Sequence, residues 1–316
     1  MDKLYIVVPC YNEEEVLPET AKRLNEKLSA LITQGRVDKN SRIMFVNDGS
    51  KDKTWEIIEK LHAENPIFTG VNLSRNRGHQ NALLAGLMTA KNMADVTVSL
   101  DADLQDDINA VDSMLDEYYS GSDIVYGVRS KRKKDTAFKR ITAEGFYHIM
   151  NAMGADIVFN HADYRLMSKR ALVGLAEFKE VNLFLRGLVP MIGYRSSYVY
   201  YEREERFAGE SKYPLKKMLS FAFEGITSLS SKPIKYITFI GFLLFIISII
   251  MLVYFVVQWF TGDTVSGWAS VVCSVWGIGG LIMLSLGVIG EYIGKIYLET
   301  KGRPNYIIDK VLGDEE

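Results

Sequence analysis

Three oxygen-bearing side chains occupy alternate positions in the segment Asp101-Ala-Asp-Leu-Gln105. Alternate residues of an extended segment point the same way, so Asp101 and Asp103 are predicted to converge. Two converging carboxylates repel unless a proton or a cation lies between them. Mg²⁺ or Mn²⁺ accepts few protein oxygens and takes its other ligands from water and substrate phosphates. We therefore predict a metal site at Asp101, Asp103 and Gln105; the alternative is a pair of solvated loop aspartates.

A cation in this position would neutralise the charge that develops on a departing nucleotide diphosphate. This chemistry favours glycosyl transfer over hydrolysis. Classical dinucleotide binding is disfavoured, because no Gly-x-Gly-x-x-Gly follows the first predicted strand. P-loop phosphate binding is disfavoured as well, because no Gly-x4-Gly-Lys-[Ser/Thr] occurs anywhere.

The overall composition disfavours two further classes. A net charge of −2 provides no general basic field, so nucleic acid is not an expected partner. The two cysteines, Cys10 and Cys273, lie far apart and form neither a disulfide framework nor a zinc-binding spacing.

The first 130 residues alternate strand and helix patterns. Apolar runs predict strands at 4–9, 42–47, 67–73, 95–100 and 122–128, and amphipathic stretches predict helices near 13–34, 52–63, 78–91 and 108–119. This alternation predicts an α/β fold in which helices cover both faces of a mostly parallel sheet. Ligands of such sheets bind beyond the carboxyl ends of the strands, where clusters of polar residues follow each apolar run.

Two uncharged runs, 236–262 and 264–290, follow this domain. Each exceeds the roughly 20 residues that a helix needs to cross a bilayer, so we predict two membrane spans, with buried core helices as the alternative. Lysines precede the first run and follow the second, whereas the link between them has neither Lys nor Arg. The positive-inside rule then places both termini and the N-terminal domain in the cytoplasm, at the inner (plasma) membrane.

The predicted organisation has four parts: a catalytic domain over 1–213, an amphipathic interfacial helix over 214–232, a two-helix transmembrane hairpin over 233–292, and a cytoplasmic tail over 293–316. A charged loop, 203–213, ends the catalytic domain. Its composition alone fits a solvated loop. Its position beside the membrane, and the bidentate grip of arginine on phosphate oxygens, favour binding of a lipid phosphate.

Four motifs resemble those of glycosyltransferase family 2: Val7-Val-Pro-Cys-Tyr-Asn-Glu-Glu14, Asn47-Asp-Gly-Ser50, Asp101-Ala-Asp-Leu-Gln-Asp106 and Arg206-Phe-Ala-Gly-Glu-Ser-Lys-Tyr213. The likeness covers nearly the whole chain. More narrowly, the motifs resemble those of bacterial polyprenyl-phosphate glucosyltransferases of the bactoprenol type, which are similar to dolichol-phosphate mannose synthases. The resemblance implies a GT-A fold and an inverting transfer of a hexose, expected to be glucose, from a UDP-sugar to undecaprenyl or another polyprenyl phosphate.

The resemblance also implies roles for individual residues. The nucleotide-sugar-binding set is Pro9, Tyr11, Glu13, Asp48, Asp101 and Ala102. The phosphate-binding and lipid-phosphate-binding set is Arg129, Arg140, Arg203, Arg206 and Lys212. The catalytic set is Asp103, Asp163 and Arg129. Self-association, up to a tetramer, is a further expectation from the family.

The nature of the acceptor bears on the role of Asp163. The second pKa of a phosphate monoester is about 6, so the acceptor is largely dianionic at neutral pH and its oxygen is already nucleophilic. Neutralising charge then matters more than a strong base. We expect Asp163 to orient the acceptor or the sugar, with Arg165 pairing nearby; a role as general base is the alternative. His79, at a predicted helix start, is a weaker candidate for a helix cap or a donor contact.

Two departures from the family pattern leave the donor open: Asn47 stands where many relatives carry Asp, and Arg77 replaces a common aromatic residue. Three rival functions are a processive polysaccharide synthase, a polyprenyl-phosphate mannosyltransferase that uses GDP-mannose, and a non-catalytic scaffold that binds nucleotide sugars. Processive synthases usually carry a Gln-x-x-Arg-Trp element and more spans, and this sequence has neither.

Overall fold

The protein is described by a computed structural model that covers residues 1–130, 161–202, 227, 230, 232–261 and 267–313. Its strands are β1 (Leu4–Cys10), β2 (Arg42–Asn47), β3 (Phe68–Leu73), β4 (Val96–Ser99), β5 (Ile124–Arg129), β6 (His161–Ser168), β7 (Ser196–Tyr201) and β8 (Ile308–Leu312). Its helices are α1 (Leu17–Thr33), α2 (Thr54–Glu64), α3 (His79–Ala90), α4 (Ala110–Tyr119), α5 (Lys169–Ala176), α6 (Leu185–Met191), α7 (Lys232–Thr261) and α8 (Trp268–Lys301).

These strands form one mixed sheet in the order β7-β5-β6-β4-β1-β2-β3-β8. β1 lies at its centre, pairs in parallel with β2 and β4, and is buried along its whole length. Strands covered on both faces are near-continuous apolar runs, which is why the sequence Leu-Tyr-Ile-Val-Val forms β1. Helices α1, α2 and α4 pack on one face of the sheet, and α3, α5 and α6 pack on the other. The predicted α/β architecture is confirmed.

β6 runs antiparallel between β4 and β5. Its residue Arg165 lies opposite Ser99 on one side and Tyr126 on the other. The beginning of β6 therefore lies at the edge where β4 and β5 end. The Ser99 hydroxyl donates a 2.6 Å hydrogen bond to the carbonyl of Asp163 and fixes this register.

The C-terminal segment returns to the sheet. β8 pairs antiparallel with β3, and Lys310 forms an ion pair with Glu59 of α2 at 2.8 Å. The Ser74 amide donates to the Ile307 carbonyl at 3.0 Å. Residues 308–312 of the predicted cytoplasmic tail, 293–316, thus form an edge strand of the sheet.

Among the residues that the structure describes, two helices are long and apolar enough to cross a membrane, over Lys232–Met251 and Gly277–Lys301, and neither stretch is buried in the protein. At 1.5 Å per residue, α7 would be about 45 Å long and α8 about 51 Å. α8 continues to Lys301, beyond the predicted end of the hairpin at 292, and so reaches from the apolar region to the catalytic domain. The predicted interfacial helix over 214–232 lies almost wholly outside the described residues.

Candidate active site

The polar residues singled out in the sequence meet at one edge of the sheet. β2 ends before Asp48, β4 before Asp101 and β5 at Arg129, and antiparallel β6 begins just before Asp163. β7 is parallel to β5 and ends at Tyr201, which lies opposite Arg129. The direction of each strand is enough to place these side chains at the same edge of the sheet.

The segment after β4 is a turn, so the prediction of an extended Asp101–Asp103 segment is wrong. Leu104 adopts a left-handed backbone with φ 56°, and the Gln105 amide donates to Asp103 Oδ1 at 3.2 Å. Ala102 is buried, and its carbonyl accepts a 2.8 Å hydrogen bond from the Thr20 hydroxyl of α1. The turn thus leaves Asp103 buried and the Asp101 side chain 34% exposed.

Asp163 is surrounded by cationic side chains. Arg165 Nη2 lies 2.6 Å from its Oδ1, as expected from the sequence. Arg186, in the first turn of α6, donates from Nε to Oδ1 at 3.3 Å and from Nη2 to Oδ2 at 3.0 Å. The Arg165 side chain is only 1% exposed, whereas that of Arg186 is 32% exposed. Arg165 therefore holds the carboxylate from inside the protein and Arg186 from the solvent side.

This environment keeps Asp163 ionised. Burial alone would raise its pKa, but Arg186, His79 and Arg165 hold the pKa well below its usual range. A carboxylate with a strongly lowered pKa is a weak proton acceptor, because its ionised form is the one that its neighbours stabilise. The electrostatics favour an orienting role for Asp163 over that of a general base.

His79 connects Asp163 to the turn after β4. Its Nε2 lies 3.5 Å from Asp163 Oδ2 and 3.5 Å from Asp101 Oδ1. Burial lowers the pKa of His79, but the hydrogen bond to Asp163 and the charge of Asp101 outweigh it and raise the pKa overall. The residue begins α3 without capping it. His79 therefore bridges two carboxylates and does not cap the helix; the other role suggested by the sequence, a contact with the donor, stays a prediction.

The chemistry of the acidic turn fits a divalent cation. Enclosure raises the pKa of Asp101 to about 6; His79 opposes the shift, and Asp106, Asp163 and Asp103 add to it. Within the described residues, Asp106 Oδ2 is buried without a hydrogen-bond partner, and no three His, Cys, Asp or Glu side chains form a metal-binding group. A crowded carboxylate pair with too few ligands of its own suits an ion that takes the rest from water and a diphosphate.

A second polar network lies on the β5–β7 side of the turn. Asp106 Oδ1 accepts hydrogen bonds from the Tyr201 hydroxyl at 2.5 Å and from Arg129 Nη2 at 3.2 Å. Arg129 Nε also donates to the Tyr201 hydroxyl oxygen at 3.2 Å. Burial would lower the pKa of Arg129, but Asp106 raises it above its usual value, so the guanidinium stays charged.

The loop after β2 is packed tightly against the segment before α3. Asp48 is 2% exposed, and its two oxygens accept from the backbone amides of Arg77 at 2.6 Å and Gly78 at 2.9 Å. Gly49 has φ 60°, and a Cβ there would lie 2.5 Å from the Arg75 backbone. The Arg77 side chain donates to the Pro304 carbonyl at 2.6 Å, which ties this loop to the C-terminal segment.

Of the other predicted nucleotide-binding residues, Tyr11 is exposed and Glu13 half-buried, while the Pro9 ring is buried within β1. Asn12, between Tyr11 and Glu13, has a left-handed backbone with φ 54°. The Glu13 amide donates to the Thr54 hydroxyl at 2.9 Å. This loop therefore presents Tyr11 at the surface while its neighbours anchor it.

Comparison with known proteins agrees with this architecture. The model of the glycosyl transferase family 2 matches residues 5–174. The chain belongs to glycosyltransferase family 2. The predicted fold, which the resemblance identifies as GT-A, is confirmed.

Three relatives align with this family 2 member along nearly their full lengths. The uncharacterized glycosyltransferase YkoT of Bacillus subtilis is 53% identical over 313 residues, which cover 99% of this chain and 93% of that one. The SfII prophage-derived bactoprenol glucosyl transferase of Shigella flexneri is 37% identical over 98% of each chain. The prophage bactoprenol glucosyl transferase homolog of Escherichia coli is 37% identical over 98% of this chain and 99% of that one.

The structure adds three residues to the candidate site of this glycosyltransferase: His79 as a bridge, Arg186 and Tyr201. Arg186 lies in a short helix with no distinctive motif, and Tyr201 looks like any strand aromatic in the sequence. The packing of α6 on the sheet places Arg186 beside Asp163, and the pairing of β7 with β5 places Tyr201 beside Arg129 and Asp106. Four predicted phosphate-binding residues lie outside the described residues: Arg140, Arg203, Arg206 and Lys212.

Proposed function

We propose that this family 2 enzyme transfers a hexose, with glucose the expected sugar, from a UDP-sugar to a polyprenyl phosphate by an inverting displacement. One observation carries the proposal: relatives named bactoprenol glucosyl transferases match the chain from end to end, and the acidic turn shares that chain with two unburied apolar helices. An acceptor that combines a phosphate with a long lipid requires both features, the acidic turn and the apolar helices.

Asp101 and Asp103 would hold a Mg²⁺ or Mn²⁺ ion, with Gln105 as a further oxygen donor. The ion would supply charge neutralisation at the departing diphosphate. Support comes from the carboxylates of Asp101, Asp103 and Asp106, which follow one another in this turn, and from the raised pKa of Asp101, to which Asp106, Asp163 and Asp103 contribute.

In the proposed reaction an acceptor phosphate oxygen attacks the anomeric carbon. The bond between that carbon and the diphosphate oxygen breaks, and UDP leaves with the electron pair. No proton has to be removed, because the acceptor is already largely dianionic. Asp163 would orient the sugar or the acceptor, and Arg165 and Arg186 would fix its carboxylate in one position.

Arg129 would stabilise phosphate charge on the other side of the turn. Asp106 and Tyr201 hold its guanidinium and keep it charged. Tyr11 would contact the base from the exposed loop after β1, and Asp48 would act through the backbone of the Arg77–Gly78 segment that it holds. Arg140, Arg203, Arg206 and Lys212 remain predicted ligands of the lipid phosphate.

The proposed location is the cytoplasmic face of the plasma membrane, with two spans and both termini in the cytoplasm. The two apolar helices and the likeness to bactoprenol-related enzymes support membrane association. Assembly into a homo-oligomer, up to a tetramer, remains a prediction.

One experiment separates this proposal from its rivals. The purified full-length protein is incubated with Mg²⁺ or Mn²⁺, a short polyprenyl phosphate and, in separate reactions, labelled UDP-glucose, UDP-galactose or GDP-mannose. Labelled lipid from a UDP-hexose supports the proposal, and preference for GDP-mannose identifies a mannosyltransferase. Polymer would indicate a processive synthase, and donor binding without product a scaffold.

A further inference from the structure

The C-terminal end of α8 is attached to the loop that precedes α6. Glu299 accepts three hydrogen bonds there: from the Val181 amide to Oε2 at 3.0 Å, from the Asn182 amide to Oε1 at 2.7 Å, and from Asn182 Nδ2 to Oε1 at 2.8 Å. Asn182 Nδ2 also donates to the Lys295 carbonyl, one turn earlier on α8, at 3.3 Å. One carboxylate thus fixes two successive backbone amides. Such charge-assisted bonds are stronger than neutral ones.

The far end of the same short segment is fixed beneath the active site. The Leu185 amide donates to Gln80 Oε1 at 2.8 Å, and Gln80 follows His79 in α3. Arg165 Nη1 donates to the Leu185 carbonyl at 3.4 Å, and Phe184 and Leu185 are buried. The next residue is Arg186, whose guanidinium holds both oxygens of Asp163.

A continuous series of contacts therefore runs from α8 to the acidic turn. Glu299 fixes residues 181 and 182, five and four residues before Arg186, and Arg186 fixes Asp163. Asp163 contacts His79, and His79 contacts Asp101. α8 is the second of the two apolar helices, so its position would follow the bilayer.

We infer that Glu299 is a positioning residue, which uses the membrane helix α8 as a fixed support to set the 181–185 segment and hence the guanidinium of Arg186 on Asp163. This inference rests on the proposed function, since it assigns Asp163 to substrate orientation. Glu299 touches no substrate in this scheme. It makes turnover depend on the attachment of the catalytic domain to its own membrane helix.

The test uses the full-length protein in lipid nanodiscs and compares Glu299→Ala with Glu299→Gln. The alanine variant loses all three accepted bonds, whereas glutamine keeps a carbonyl oxygen that can accept from Asn182. Glu291→Ala is the matched control, because Glu291 is an exposed acid on the same helix without these contacts. Misplaced catalytic groups mainly lower kcat, so we expect Glu299→Ala to lose about tenfold in kcat while the donor KM changes by less than about twofold.

Glutamine should restore most of the lost kcat, and Glu291→Ala should resemble the wild type. In the Arg186→Lys background, Glu299→Ala should reduce kcat little further, because both substitutions disturb one contact. Additive losses would overturn the inference, as would an unchanged kcat in Glu299→Ala or equal losses in kcat and donor affinity. Should Glu299→Ala fail to fold, Asn182→Ala carries the same expectation with a smaller loss, since only the side-chain bonds disappear.

A second readout does not depend on activity. Hydrogen exchange of residues 181–191 should be faster in Glu299→Ala than in the wild type, while exchange in β1 and β2 stays the same. Unchanged exchange in 181–191 would overturn the inference even for an active enzyme. A wild type that produces no glycolipid from any donor would instead refute the proposed function, and the exchange experiment would still decide whether Glu299 sets this segment.

Discussion

Arg186 holds both carboxylate oxygens of Asp163, with Nε 3.3 Å from Oδ1 and Nη2 3.0 Å from Oδ2. The two residues are separated by β6, α5 and the loop before α6, so the pairing depends on the tertiary fold. Arg165 occupies the buried side of the same carboxylate. Asp163 is thus held by two guanidinium groups, and its orientation is set before any substrate binds.

Replacement of Arg186 by lysine should lower kcat. Lysine keeps the positive charge but cannot donate two parallel hydrogen bonds from one planar group. We expect a loss of about tenfold in kcat, since small displacements of positioning groups have effects of this size. Steady-state kinetics with UDP-glucose and polyprenyl phosphate measure it, with UDP affinity followed by calorimetry.

Arg170→Lys is the control for this substitution. Arg170 lies on α5 and is 67% exposed; its guanidinium contacts Asp123 at 3.4 Å and lies 4.1 Å from the centre of the Tyr194 ring. Replacement of Arg170 should change neither kcat nor the affinity for UDP by more than about twofold, as expected for an exposed ion pair. An Arg186→Lys enzyme with wild-type kcat would show that the geometry of Asp163 is not set by Arg186.

The sequence predicts the central part of this fold well for a physical reason. β1 and β2 are buried on both faces, so their apolar runs are long and unambiguous. Residues that follow such strands must lie at one edge, which is how Asp48, Asp101 and Arg129 could be placed together.

The sequence does not reveal partners that come from antiparallel pairing. β8 has the sequence Ile-Asp-Lys-Val-Leu, which alternates weakly and is largely exposed at the sheet edge, so nothing marks it as a partner of β3. The sequence also does not reveal the turn at Asp101, because the residue with the left-handed backbone in this turn is Leu104 and not a glycine. Arg186 reaches the site through the packing of α6 on the sheet, and Tyr201 through the parallel pairing of β7 with β5; neither contact has a local signal in the sequence.

Removal of divalent cations should abolish transfer. The crowded carboxylates of the turn favour a cation between enzyme and diphosphate, so EDTA should stop product formation, and excess Mg²⁺ or Mn²⁺ should restore it. Asp101→Asn and Asp103→Asn should each weaken Mn²⁺ binding at least tenfold in the presence of UDP, as measured by electron paramagnetic resonance. Asp95→Asn is the control, because Asp95 precedes the same strand at its opposite end and binds the Lys3 amide. Full activity in EDTA would contradict the metal site.

Tyr201→Phe should affect both stability and turnover. The hydroxyl donates to Asp106 at 2.5 Å and accepts from Arg129 at 3.2 Å, so its removal takes one partner from the buried Asp106 and one from the half-buried Arg129. The expected loss is about 1–2 kcal/mol of unfolding free energy, together with a lower kcat because Arg129 is held less firmly. Tyr200→Phe provides the comparison, since the Tyr200 side chain is adjacent on β7 but exposed. Thermal melting and steady-state kinetics of the two variants should differ; similar behaviour would argue against a role for the Arg129–Asp106–Tyr201 network.

Alanine substitutions at Gly49 and at Gly78 distinguish the effect of a positive φ from that of a close backbone contact. Both have a positive φ, 60° and 86°, but a Cβ at Gly49 would meet the Arg75 backbone at 2.5 Å, whereas a Cβ at Gly78 would meet nothing within 4 Å. Gly78→Ala should therefore cost only the backbone strain of a conformation that is essentially confined to glycine (φ 86°, ψ 154°), about 1–3 kcal/mol of stability. Gly49→Ala must also push the 75–78 segment away from Asp48, which adds about 1–3 kcal/mol. Because Asp48 binds the amides of Arg77 and Gly78, this displacement should also weaken UDP binding, measured by calorimetry. Equal melting temperatures and equal UDP affinities in the two variants would show that the contact between these loops does not shape the nucleotide site.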